Sequence, residues 1–201
     1  RRARDLAMNL VRAIIANFCT LAVCGVLLGA FGAQFIGGEL PCPLCILQRM
    51  AMLLCAAGPA WLLATAMRRE VDATDYARCY GASALAAVLG AGISARQVLL
   101  HIAPGDPGYG APVLGMHLYT WALVVFMTVI AVAAAHLMLL VPSRPERLPL
   151  RALSRATFAI LALITLANAA AVFAEEGFHA VLPDNPVEYR LLDDLGLKRS
   201  S

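Results

Sequence analysis

Pro41-Cys42-Pro43-Leu44-Cys45-Ile46-Leu47-Gln48-Arg49 places two cysteines at CxxC spacing at the mouth of an apolar run that continues to about residue 66. A helix of about 20 apolar residues crosses a bilayer, and this run is long enough. Pro41 and Pro43 keep the chain from being helical before Cys45, because proline is welcome only in the first turn of a helix. The helix therefore starts close to the CxxC, and Arg49 falls one turn beyond Cys45 on the same face. A thiol at a helix start meets unpaired backbone N–H groups and the positive end of the helix dipole, and both favour a thiolate. A guanidinium on that face adds to the effect and offers a contact for an anionic or quinone-like electron acceptor.

Four further apolar runs lie near 11–33, 79–98, 118–141 and 156–174. None shows a polar face at helical spacing, as expected of helices surrounded by lipid. The 201 residues are 61% hydrophobic and 14% charged, with a mean hydropathy of +0.74. A soluble domain is closer to half apolar and a quarter charged. The expected fold is an all-α membrane protein of five spans, one transmembrane helical domain over 1–174 with a tail at 175–201. Open sheet is excluded because its edge amides go unpaired in lipid, and the runs are too continuous for barrel strands. The formal net charge of +3 is spread as scattered arginines, so no nucleic-acid-binding patch is expected. The first run has a basic start and a small-residue end at Gly29-Ala30-Phe31-Gly32-Ala33, but its long core and the four later spans argue against a cleaved signal peptide. Leu21-Ala22-Val23-Cys24 is a poor lipoprotein box, since Val23 is too large before a cut.

Charge sets the orientation. Arg1, Arg2, Arg4 and Arg12 precede or open span one; Arg68, Arg69 and Arg78 follow span two; Arg144, Arg147, Arg151 and Arg155 lie between spans four and five. The alternate connections, 34–45 and 99–117, hold no lysine or arginine. The positive-inside rule puts the N-terminus in the cytoplasm and the CxxC outside, with the tail on the outer side despite its Arg190, Lys198 and Arg199. Disulfides persist in oxidising compartments, so an outward CxxC points to thiol–disulfide exchange. The connection 99–117, rich in Pro and Gly, is expected to be irregular and to lie against the membrane surface, where it could cap the redox centre. Tyr119 and Trp121 are expected interface anchors. The tail holds a turn at Pro183-Asp184-Asn185-Pro186, then a short helix carrying Tyr189, Leu191, Leu192 and Leu195.

Other readings of these residues stay open. The CxxC also fits a structural disulfide, an idle thiol pair, or half a zinc site. Zinc needs two more ligands, and His101, His117 and His179 lack metal spacing, so no metal is expected. Arg49 also fits a side chain snorkelling to the interface. Cys19, Cys24 and Cys55 read as small apolar groups within spans, and Cys79 as a reduced thiol at the cytoplasmic edge. Met50, Met52 and Cys55 are a weak copper(I) pattern. His136 is expected to bond a neighbouring helix. Arg96 and Gln97 close span three near the depth of Arg49 and are candidate members of the same polar pocket. No acidic residue falls within an expected span, which disfavours an ion-coupled transporter.

These residues resemble the DsbB family of bacterial inner-membrane quinone reductases, which reoxidise the thiol oxidase DsbA. Cys42-Pro43-Leu44-Cys45 with Arg49 resembles that family's first-loop CxxC and quinone-contacting arginine. Arg96-Gln97 stands where an Arg-His or similar pair is usual, and Gly115-Met116-His117-Leu118-Tyr119-Thr120-Trp121 resembles the run into span four. The resemblance covers about residues 11–141, and the fifth span and tail are similar to a longer subset. It implies a four-helix bundle plus a fifth helix, with Cys42 and Cys45 catalytic. It further implies ubiquinone or menaquinone held by Gln48, Arg49, Arg96 and Gln97, and a DsbA-like periplasmic partner of thioredoxin fold. The family also has a second cysteine pair in an outer segment, expected in the longer subset close to Glu176 and Leu182. Here no cysteine follows Cys79. The implied function is a quinone-coupled thiol oxidase attacked directly at Cys42, with Cys45 facing the quinone. The alternatives are a shuttle pair on a separate subunit, or a non-enzymatic membrane subunit that keeps a quinone or partner site.

Overall fold

The structure, a computed structural model, describes residues 2–140, 145–179, 181 and 183–196, with side chains from Leu6 onward. Arg1, Val141, Arg144, Leu182, Lys198, Arg199 and the side chains of Arg2 and Arg4 lie outside the described residues. The elements are α1 (Arg2–Phe35), α2 (Pro43–Arg68), α3 (Ala73–Leu100), α4 (Leu118–Met138), α5 (Arg151–Glu176) and the short α6 (Arg190–Asp194). Among the described residues there is no strand, only isolated bridges joining Val71 to Glu146 and Val113 to Met116. Helices α1 to α5 are each long and apolar enough to cross a membrane. The chain is thus all-α, with the expected five candidate spans.

Helix α2 is the axis of the bundle. It packs on α1, α3, α4 and α5, and 56% of its most apolar window is buried, against 17–33% for the others. Its start follows from local chemistry: Cys42 is the N-cap, Pro43 stands in the first turn, and the Cys42 sulfur accepts from the Cys45 backbone N–H at 3.2 Å. Pro59 lies inside α2 and has no N–H to donate to the Cys55 carbonyl one turn back. The hydroxyl of Ser83 on α3 donates to that carbonyl instead, at 2.9 Å. Gly58 makes this approach possible, for a Cβ there would collide with the Ser83 hydroxyl and stand 2.5 Å from the Cys79 carbonyl oxygen. The ring of Phe126 on α4 lies against Gly90 of α3 in the same way.

Helix α5 docks through a polar clasp as well as through Leu161 and Ile164, which join the apolar core. Asn17 of α1 donates to Ser154 at 3.3 Å and accepts from Thr157 at 2.8 Å, all three buried. At the arginine-rich end, Arg12 and Tyr76 both donate to Glu146, at 2.6 and 2.7 Å. Arg69 grips Asp75 with two bonds of 2.7 Å, next to the Asp72–Asp75 capping box that starts α3. Large side chains such as Leu85, Leu163 and Leu166 point outward and exposed, as on helices that meet lipid.

Three expectations change here. α5 reaches Glu176 rather than 174, and α3 begins at Ala73. Asp75 and Glu175 are therefore buried acidic side chains within candidate spans. Tyr119 is not an exposed anchor but is buried, stacked against the His101 and His117 rings at 5.5 and 5.2 Å. His136 Nδ1 meets its own helix at Val132 O, and its contact with α3 is a ring stack on Tyr80 at 4.3 Å.

Candidate functional site

The CxxC sits where three connections converge. Residues 101–117 form no regular helix and are held over 36–42: the Tyr109 hydroxyl donates to Leu40 O at 2.6 Å, and the Ala111 N–H donates to Glu39 at 2.8 Å. Trp121 ties the same segment from α4 by donating to Val113 O at 2.9 Å. The tail closes the third side, with 184–187 lining the space beside Cys42. This irregular cover over the CxxC is the expected one.

The Cys42 and Cys45 sulfurs lie side by side, 2.6 Å apart. The first-turn N–H of α2 is used by Cys42, not by Cys45 as the helix-start argument alone suggests. Cys45 takes its support from side chains. Gln97 of α3, buried behind both sulfurs, directs its amide N–H groups to Cys42 at 3.2 Å and Cys45 at 3.6 Å. The Gln97 carbonyl in turn accepts from Gln48 at 2.8 Å, which fixes the amide's orientation. Cys42 is pushed well above the ordinary thiol range, first by its contact with Cys45 and then by burial.

Arg49 is 7% exposed. It donates to Gln34 at 2.6 Å and to Ala30 O at 3.1 Å, and stands over the Phe31 ring at 5.5 Å. Gln34 also donates to the Tyr189 hydroxyl at 3.4 Å, which links the arginine to the tail. These two bonds leave guanidinium N–H groups for another acceptor, since arginine has five.

The two sulfurs face different spaces. Cys42 lines a wide cleft of about 1030 Å³, with Arg96, Gln97, His101, Tyr109 and Pro186. Cys45 lines a groove of about 350 Å³ between α1 and α4, floored by Gln48 and Arg49 of α2 and walled by Ala30, Tyr109 and Tyr119. Val26 and Trp121 also wall a second, almost wholly apolar cavity of about 310 Å³ that runs on between α1 and α4. Of the four residues expected around one ligand, Gln48 and Arg49 line the groove, Gln97 backs both sulfurs, and exposed Arg96 lines the cleft instead. Met50 is exposed while Met52 and Cys55 are buried, so those three do not converge. Among the described residues no group of three or more His, Cys, Asp or Glu is arranged to hold a metal ion.

The family model described as disulfide bond formation protein DsbB matches residues 12–111, from α1 through the cover segment. A Pseudomonas fluorescens protein named disulfide bond formation protein B 1 is 30% identical over 147 residues, covering 58% of this chain and 82% of that protein. The chain belongs to the DsbB family. Proteins named disulfide bond formation protein B from Chromobacterium violaceum and Chromohalobacter salexigens are 41% and 36% identical, each over 43% of this chain. The chain spans about half the length of these two, 52% and 49%. No solved structure matches. The DsbB match ends before α4, so α5, α6 and Glu175 are not within it.

Sequence reasoning missed Gln34, Tyr109, Glu175 and Tyr189. Gln34 carried a signal, as an amide at the end of an apolar run. Glu175 sits beside Glu176 just past such a run and reads as the start of a solvated tail.

Proposed function

We propose that this protein is a quinone-coupled thiol oxidase of a bacterial inner membrane. Its Cys42–Cys45 disulfide would oxidise a DsbA-like periplasmic partner of thioredoxin fold, with the N-terminus cytoplasmic and the CxxC and tail periplasmic. The observation that carries this reading is the division of the two sulfurs, Cys42 toward the wide cleft and Cys45 toward the apolar groove that holds Arg49.

The steps follow from exchange chemistry. A partner thiolate attacks Cys42 from the cleft and forms a mixed disulfide, while the electron pair of the broken bond stays on Cys45. Arg49 and the Gln97 amide stabilise that thiolate by charge and hydrogen bonding. The partner's second thiol then displaces Cys42, which takes the proton, in keeping with a thiol held above its usual range. The groove fits a quinone: Arg49 and Gln48 offer donors at its floor, and the adjoining apolar cavity suits an isoprenoid tail. A ubiquinone or menaquinone bound there supplies a two-electron, two-proton acceptor. Arg96, at the cleft rim, serves the partner's side. With no cysteine after Cys79, this chain carries the exchange on one pair. That same lack favours the second reading, a DsbB-like subunit or quinone-binding scaffold without turnover.

The test is quinone reduction by the purified protein with a reduced DsbA-like partner. Wild type turns over, Cys42→Ser and Cys45→Ser do not, and Arg49→Ala raises the KM for quinone about tenfold or more and also slows single-turnover exchange with the partner, because the Cys45 thiolate loses its cation. No turnover with any partner, together with Cys42 and Cys45 alkylatable as free thiols in cells, sinks the oxidase and leaves the scaffold.

A further inference from the structure

Glu175, in the last turn of α5, is 0% exposed, and neither carboxylate oxygen has a hydrogen-bond partner. A carboxylate taken out of water without hydrogen bonds either bears a desolvation cost of several kcal/mol or holds a proton. Its surroundings are the charged groups of the redox site. Arg49 and Cys45 of α2 act on it electrostatically, as do Glu176 on its own helix and Tyr109 of the cover segment. Tyr189 of the tail faces the same arginine. Arg49 spends its hydrogen bonds on two uncharged oxygens, of Gln34 and Ala30. The compartment thus contains one fixed cation and two groups, Cys45 and Glu175, each able to carry one negative charge.

At low dielectric one cation supports one anion well and two badly. In the closed disulfide Cys45 is uncharged, and Glu175 is the available counter-anion. Opening the disulfide creates a thiolate on Cys45 that competes for the same arginine. We propose that Glu175 is a redox-linked proton holder, ionised opposite Arg49 while Cys42 and Cys45 are bonded and protonated when Cys45 becomes a thiolate. The trigger rests on the oxidase reading above. In that step the proton that the partner thiol gives up on becoming the attacking thiolate passes to Glu175. The Cys42–Cys45 bond breaks, a partner–Cys42 bond forms, and the electron pair remains on Cys45. Electron pair and proton enter together, so the buried charge stays constant. When a quinone-class acceptor takes the electrons and the disulfide closes, Glu175 gives up its proton again.

Reduced-minus-oxidised infrared difference spectra test this on the purified full chain, stripped of quinone and reduced with dithiothreitol. Wild type gains a protonated-carboxyl C=O band that shifts in D2O; Glu175→Gln loses it, and Glu175→Asp and Glu176→Gln keep it. No such band in wild type, or a band that survives Glu175→Gln, overturns the proposal, and the wild-type spectrum decides even if the variant fails to fold. Turnover with partner and quinone but no band removes the proton holder alone. The band without turnover supports the proton holder and removes the oxidase.

Discussion

At the scale of single residues, Gln97 links the two halves of the site. One amide faces both sulfurs with its N–H groups and accepts from Gln48 with its oxygen. A hydrogen bond to a charged acceptor contributes about 1.5–3 kcal/mol, so Gln97→Leu should slow alkylation of reduced Cys45 at neutral pH by about tenfold. A Gln97→Leu protein whose Cys45 reacts at the wild-type rate would mean that the thiolate depends on Arg49 alone. Sequence spacing led to Cys42, Cys45 and Arg49, because i+3 and i+4 relations within one helix are local. It did not separate Arg96 from Gln97, which face different ways although they are adjacent: Gln97 is buried behind the sulfurs and Arg96 is exposed at the cleft. Which of two neighbours on α3 turns inward depends on how α3 is rotated against α2, and an all-round apolar helix carries no periodicity that reports its rotation.

At the scale of elements, the α2–α3 contact depends on a proline defect repaired from next door. Pro59 orphans the Cys55 carbonyl, Ser83 satisfies it, and Gly58 lets Ser83 come close. Ser83→Ala should destabilise the bundle by about 1 kcal/mol. Gly58→Val, which must push α3 off a backbone carbonyl, should cost about 2–3 kcal/mol. Both are read from thermal unfolding in detergent, and an unchanged midpoint for Gly58→Val would contradict the close packing. Helix existence was legible because five long apolar runs leave few alternatives. The ends were less so: α3 and α5 each gain residues beyond the hydropathic core, through the Asp72–Asp75 capping box at one and the burial of Glu175 at the other. Hydropathy scores a carboxyl as a stop, whereas burial against the rest of the bundle lets the helix continue.

At the scale of the whole molecule, the redox state of one pair sets how stability depends on pH. Reduced Cys42 holds its proton in the folded chain well above the ordinary thiol range, whereas in the unfolded chain it ionises near pH 8.5. The folded state then binds more protons, so this contribution to stability is complete below about pH 8.5 and is lost as pH rises from there toward the folded value. The melting temperature of the reduced protein should therefore fall more steeply with alkaline pH than that of the oxidised protein, in which Cys42 and Cys45 do not titrate. Parallel curves for the two forms would show that Cys42 is not held protonated by the fold.

Tyr109 belongs to the wall of the cleft and to the wall of the groove, pinned by a single hydroxyl bond to Leu40 O. A protein that docks in the cleft and displaces this ring thereby reshapes the other chamber. Linkage makes such an effect reciprocal: whatever factor an occupied groove applies to the affinity of the cleft, an occupied cleft applies to the groove. Thus one tyrosine ring on an irregular segment gives two chambers on opposite sides of the Cys42 and Cys45 sulfurs a thermodynamic means of sensing each other's occupancy.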